Sequence, residues 1–150
     1  MKLLNGLELA YCTNVHRGNT WEEPFHSLNR YVLKVRDKVS PEDRFAIGLR
    51  LGAQAASELS AQPEMLGFQK WLEAKNCYVF TINGFPYGNF HGQRVKEDVY
   101  RPDWTTTERL EYTVLLFEIL AELLQPGEEG SVSTLPGSFK EFHPERPAPA

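Results

Sequence analysis

Seven polar side chains stand at or just beyond short apolar runs of this chain. Asn14 and His16 follow "LELAYC", Arg50 ends "FAIGLR", and Asn83, Tyr87, His91 and Lys96 follow "CYVFTI". A fourth, shorter run brings Ser133, Thr134 and Ser138. Together they offer amide, hydroxyl, imidazole, guanidinium and ammonium groups, a set suited to a polyhydroxylated or anionic small molecule. His91 is the candidate for catalysis, because imidazole moves protons near neutral pH and also ligates metals. Asn14, His16, Arg50, Asn83, Tyr87 and Lys96 are the candidates for substrate binding. Each has a structural alternative. His16 could brace its loop, His91 could pack within its own, and Lys96 could belong to a solvated surface with Glu97 and Asp98. A guanidinium inside an apolar strand needs a partner, so Arg50 could equally sit in a structural ion pair. Cys12 is near a strand end, but no dedicated base accompanies it, and a buried thiol is expected there.

The richest stretch is "YVFTINGFPYGNFHGQRVKEDVYRPDW", residues 78–104. It opens as a strand and then runs for over twenty residues without a clear helix, and connections longer than about 12–15 residues are usually functional or disordered. Phe85, Tyr87, Phe90, Tyr100 and Trp104 argue for order. A loop roofing a binding site is expected, with Tyr87 and Phe90 excluding water.

The elements that must position these groups alternate. Residues 7–13 predict a first strand. Thr20 and Glu23 fit a capping box opening a helix whose Trp21, Phe25, Leu28, Val32, Val35 and Val39 form one stripe. Residues 45–51 and 77–82 are nearly continuous in apolar residues, as in strands covered on both faces. Between them lie helices over 53–59 and 64–74, interrupted at Pro63. Thr105 and Glu108 form a second possible capping box, before a strong helix with Leu110, Val114, Phe117, Leu120 and Leu124 along one face. Residues 130–136 predict a short fourth strand. This order predicts a parallel sheet in an α/β fold, and ligands bind such sheets at the carboxyl ends of the strands. A doubly wound sheet and part of a (β/α)8 barrel both remain open on this pattern; a whole barrel takes roughly 250 residues.

Composition excludes several classes. The chain has 150 residues, 41% hydrophobic and 24% charged, which predicts one globular domain. A net charge of −4 without a basic stripe argues against nucleic acid. No apolar run reaches the roughly 18–20 residues of a membrane span. The opening residues make a poor signal peptide, and two cysteines form neither a disulfide framework nor a metal cluster, so a cytoplasmic location is expected. There is no Walker phosphate loop, dinucleotide fingerprint or nucleophile elbow.

"LELAYCTNVHRGNTW", "FAIGLRLGAQAA", the 78–104 stretch and "GSVSTLPGSF" resemble the EboE-type metabolite traffic proteins of the xylose isomerase-like barrels. The resemblance spans residues 7–142. It implies a (β/α)8 TIM-barrel fold and a role in making or moving a small metabolite, sugar-like or carbonyl-bearing. Isomerisation or epimerisation assisted by a divalent metal would be the chemistry of a complete barrel.

About four β/α units are present. Residues 1–142 therefore read as the N-terminal half of such a barrel, and 143–150, "HPERPAPA", as a disordered tail. In that family the acidic metal ligands come largely from later strands, so none is assignable in this chain, which is expected to be inactive by itself. A fragment of a longer product is the first expectation. The alternative is a half-barrel that closes by pairing with a second copy, or with another subunit supplying the second half. A non-catalytic metabolite binder, or a loop used for protein docking, are the other functional readings.

Overall fold

The computed structural model describes residues 1–3, 6–88 and 98–142. Strands β1 (Tyr11–Cys12), β2 (Phe45–Arg50), β3 (Cys77–Asn83) and β4 (Ser131–Ser133) form one parallel sheet in the order β1-β2-β3-β4. Every crossover is helical. Between β1 and β2, α1 (Glu22–Ser27) passes through a π-helical segment (Leu28–Val32) into α2 (Leu33–Val39). Helices α3 (Ala53–Leu59) and α4 (Gln62–Ala74) join β2 to β3, and α5 (Thr107–Leu123) joins β3 to β4. The fold is α/β, as the alternation predicts. Right-handed crossovers in an unreversed strand order put all the helices on one face of the sheet.

The two faces of the sheet differ in chemistry. Phe45, Ile47, Leu49 and Leu51 alternate into a single core with Cys77, Val79 and Ile82, and there meet Trp21, Leu28, Phe68, Leu116 and Ile119 from the helices. Ala46, Gly48 and Arg50 lie on the other face, opposite Tyr78, Thr81 and Asn83. A bulge makes Phe80 the extra residue between the partners of Ile47 and Gly48. Residues 79 and 82 can therefore both reach the core although they are three apart, which an unbroken strand forbids. All of β2 is buried, in agreement with its apolar run, whereas β3 is buried at its start and half-exposed toward its end.

Four expectations need correction. The first strand is only Tyr11–Cys12, because Leu3 and Leu9 turn back to bond the carbonyls of Leu7 and Met1 at 2.7 and 2.9 Å in a separate ladder. Only half of the first capping box forms. Glu23 accepts the backbone N–H of Asn19 at 2.6 Å and of Thr20 at 3.3 Å, but the Thr20 hydroxyl makes no cap. The apolar stripe of that helix buries Leu28 and Val32, then loses register at the wider π turn, and Val39 ends 60% exposed. In α5 the core takes Tyr112, Leu116, Ile119, Leu120 and Leu123, while the expected Leu110, Val114 and Phe117 are 53%, 46% and 52% exposed. That helix is apolar on more than one face, so spacing alone allowed either stripe.

The interruption expected around Pro63 is present, since α3 ends at Leu59 and α4 begins at Gln62. Pro63 occupies the first turn of α4, where its missing N–H costs nothing. Among the described residues no helix is long and apolar enough to cross a membrane.

Candidate functional site

Strand register assembles the carboxyl edge of the sheet. Arg50 is the partner of Asn83, and Asn83 is the partner of Ser133, so three polar residues from three strands stand in one row. Arg50 is buried. Its N–H donates to Thr13 Oγ1 at 2.8 Å, just past β1, and its guanidinium donates to the carbonyls of Gly18 at 2.9 Å and Gly88 at 2.8 Å. It thereby ties the loop after β1 to the loop after β3. Burial lowers its pKa, and the nearby Tyr112 offsets part of that. Asn83 Oδ1 accepts from Phe85 N and from the Ser133 hydroxyl, both at 3.0 Å. With its oxygen engaged, the amide NH2 is what Asn83 can offer a ligand. One layer down, the hydroxyls of Thr81 and Ser131 lie 2.9 Å apart. The row sets a guanidinium, an amide and a hydroxyl side by side at the carboxyl edge of the sheet.

The loop after β3 needs two glycines. A Cβ at Gly84 would lie 2.5 Å from Leu116 Cδ1 and 3.0 Å from the Ser133 carbonyl. A Cβ at Gly52 would lie 3.2 Å from the Tyr87 carbonyl. Both let the chain run close over the strand ends.

A second layer of the site escaped the sequence reading. Arg109, on α5, is 0% exposed and donates from Nε to Pro102 O at 2.8 Å and from Nη1 to Gly84 O at 3.0 Å. Its guanidinium lies against the rings of Tyr87 and Tyr112, 5.7 and 5.4 Å from their centroids. Nη2 is buried and makes no hydrogen bond among the described residues. Burial lowers the Arg109 pKa, while Tyr112, Tyr87 and Asp103 act the other way. The Tyr112 hydroxyl donates to Leu51 O, and burial pushes that phenol above its usual range. Asp103 is buried too, accepting Thr105 N at 2.9 Å, Thr105 Oγ1 at 2.5 Å and the Ser138 hydroxyl. Asp103, not Thr105, thus organises the approach to α5, whose N-cap is Thr106; this corrects the second capping box. The recurrence of Arg109, Tyr112, Leu116 and Ile119 at spacings of three and four was the available signal.

The other candidates are placed as follows. Tyr87 gives its carbonyl to Ala53 N at 2.8 Å and sets its ring edge-on to Tyr112, with centroids 4.9 Å apart. It borders a cavity of about 430 Å³ shared with Arg101, Asp103, Thr105, Glu108 and Phe142. His16 shares a nearly filled cleft with Arg50, Thr13 and Gly18. Its Nε2 is 2.9 Å from the Tyr11 hydroxyl and its ring stacks on Tyr31 at 5.2 Å, so it braces its loop; burial lowers its pKa. Asn14 lies in a 3-10 turn (Thr13–Val15), half-buried, and its Oδ1 has no hydrogen-bond partner among the described residues. His91 and Lys96 lie outside the described residues. Cys12 is exposed, against the buried thiol expected there, whereas Cys77 is buried with its strand and pushed up to about 11.

Arg50, Asn83 and Tyr87 therefore come together, with His16 behind Arg50. No family model, curated protein or solved structure matches the chain. Among the described residues no three His, Cys, Asp or Glu side chains gather closely enough to hold a metal ion, and the donor set for one is not met there.

Proposed function

We propose that the chain binds a small anionic or polyhydroxylated metabolite at the carboxyl edge of its sheet, as part of a xylose isomerase-like barrel of the EboE type. The observation that carries this is the row Arg50, Asn83 and Ser133, a cation, an amide and a hydroxyl aligned by register where parallel sheets bind ligands. The strand order supports the barrel over the doubly wound sheet, because among the described residues it contains no reversal and so no switch point at which a doubly wound sheet would bind. Arg109 supports an anion, since neither N–H of its buried Nη2 has a hydrogen-bond partner among the described residues. The reading gives this chain no metal ligand. Isomerase chemistry would need ligands from further barrel strands, with His91 as the proton-transfer candidate. A cytoplasmic location belongs to the same proposal.

Calorimetric titration with phosphorylated sugars, hydroxy acids and neutral sugars, each with and without chelator, tests it. Anionic members are expected to bind, and Asn83→Ala or Arg50→Lys to weaken them about tenfold, a loss of about 1.4 kcal/mol. Absence of binding across the panel, or binding unchanged by both substitutions, would overturn the reading.

A further inference from the structure

The sheet ends on two open edges. Among the described residues β1 has a strand neighbour only on the β2 side, and β4 only on the β3 side. Unpaired strand edges are usually covered, twisted away or charged, because they template association. Here each edge is flanked by a helix whose outer side is suited to something further.

Beside β4 stands α5. Its Leu110, Val114 and Phe117 recur at spacings of four and three, so they form one stripe, and each is about half exposed. The opposite flank of α5 faces α4, where the Glu122 carbonyl accepts from Gln69 Nε2 at 2.8 Å. The stripe therefore faces away from the other helices, on the side of the open edge. The exposed charges of α5, Glu108, Glu111, Glu118 and Glu122, are all acidic.

The helix made of α1 and α2 follows β1 in the chain, and its Tyr31 stacks on His16 just past that strand at 5.2 Å. One flank meets α4, through Trp71 Nε1 donating to Asn29 Oδ1 at 2.9 Å. Away from that contact lie Tyr31 and Val39, 43% and 60% exposed. Arg30, Lys34 and Lys38 follow one another at intervals of four along the same helix, and all three are exposed. From Arg30 onward this surface is apolar and mostly basic, with Asp37 its one exposed acid, while Glu22 and Glu23 stand at the start of α1; the α5 surface is apolar and acidic.

We infer that a second copy of this chain covers both edges, with β4 of each copy beside β1 of the other about a two-fold axis parallel to the strands. Such a rotation preserves strand direction, so the edges meet in parallel. It brings α5 of one copy against the α1–α2 helix of the other twice, and two such contacts close a ring. The result has eight strands, the number at which a barrel interior is just filled by side chains. Gly48, Thr81 and Ser131 would face that interior, and both Arg50–Asn83–Ser133 rows would lie at one mouth. Opposite charge on the two edge surfaces of the same chain is what selects a second copy over an unrelated partner. The inference does not rest on the small-molecule reading.

The test uses two double reversals of exposed charge, Lys34→Glu with Lys38→Glu in one chain and Glu111→Lys with Glu118→Lys in another. Sedimentation equilibrium is followed by circular dichroism to verify folding. The unaltered chain is expected to sediment at twice its 17.2 kDa mass. Each reversed chain by itself is expected to dimerise at least about tenfold more weakly, because both contacts then join like charges. Mixing the two reversed chains is expected to restore affinity to within about threefold, since both contacts regain opposite charge. A monomer at the highest soluble concentration overturns the inference, as does an open polymer. A dimer indifferent to the reversals, or reversed chains that fail to complement each other, overturns it as well. Ligand binding by a monomer would leave the proposed function standing while this inference fell.

Discussion

A guanidinium buried as fully as that of Arg109 has to be solvated by the protein itself. The carbonyls of Pro102 and Gly84 do that work, and in doing so they pin the loop after β3 to α5. Arg109→Met should therefore destabilise the chain by about 2–4 kcal/mol, read as a lowered urea midpoint, since it leaves two carbonyls without a charged donor. Arg109→Lys should recover less than half of that loss, because an ammonium cannot span both carbonyls as the planar fork does. The two thiols make a simpler contrast. Burial raises the Cys77 pKa to about 11, and Cys12 is exposed. Alkylation of the native protein at mildly alkaline pH is expected to modify Cys12 alone, with Cys77 reacting only after denaturant is added; mass spectrometry of the two peptides reads this directly.

The elements carry their own signals, some stronger than the capping pattern suggested. The start of α1 is held by the Glu23 carboxylate, which accepts two backbone N–H groups, while the Thr20 hydroxyl makes no cap. Glu23→Ala is thus expected to cost about 0.5–2 kcal/mol and Thr20→Ala only a few tenths, in chemical denaturation of each variant. A capping box closed from both ends would give comparable losses. The π segment Leu28–Val32 adds backbone to one turn and rotates the residues after it, which is why Val35 is only half-buried and Val39 exposed. Strands β2 and β3 were legible because buried strands are continuous in apolar residues. Strand β1 was legible in place but not in length, since Leu7 and Leu9 are as apolar as true strand residues but bond a local ladder instead.

At the scale of the whole molecule, one core joins every helix to the helix-facing side of the sheet. Truncations far apart in sequence should then report on a single transition. Leu49→Ala, in β2, and Leu116→Ala, in α5, are each expected to lower stability by about 2–5 kcal/mol without splitting the unfolding curve, whereas Leu66→Ala, on the exposed side of α4, should change it by about 0.5 kcal/mol or less. Fluorescence and circular dichroism melts that separate for either core variant would contradict a single cooperative unit. The second sheet face is polar toward β4, where Thr81 meets Ser131 and Asn83 meets Ser133. That face and the carboxyl edge together hold the candidate site.

By itself the sequence determined the class of the fold, the positions of β2, β3 and α4, and the gathering of polar residues behind the strands. Those features follow from local pattern: an apolar run, a proline that interrupts two helices, a polar residue after each run. Arg50 and Asn83 were legible as residues of the carboxyl edge for the same reason, each lying at the end of a strand that could be recognised. Only the tertiary structure decided that Arg50, Asn83 and Ser133 form one row, because strand register is set by pairing across distant segments. It also decided that Arg109 is core and Leu110 surface. Adjacent residues on a helix point about 100° apart, and only the place where the sheet lies tells which of the two is buried.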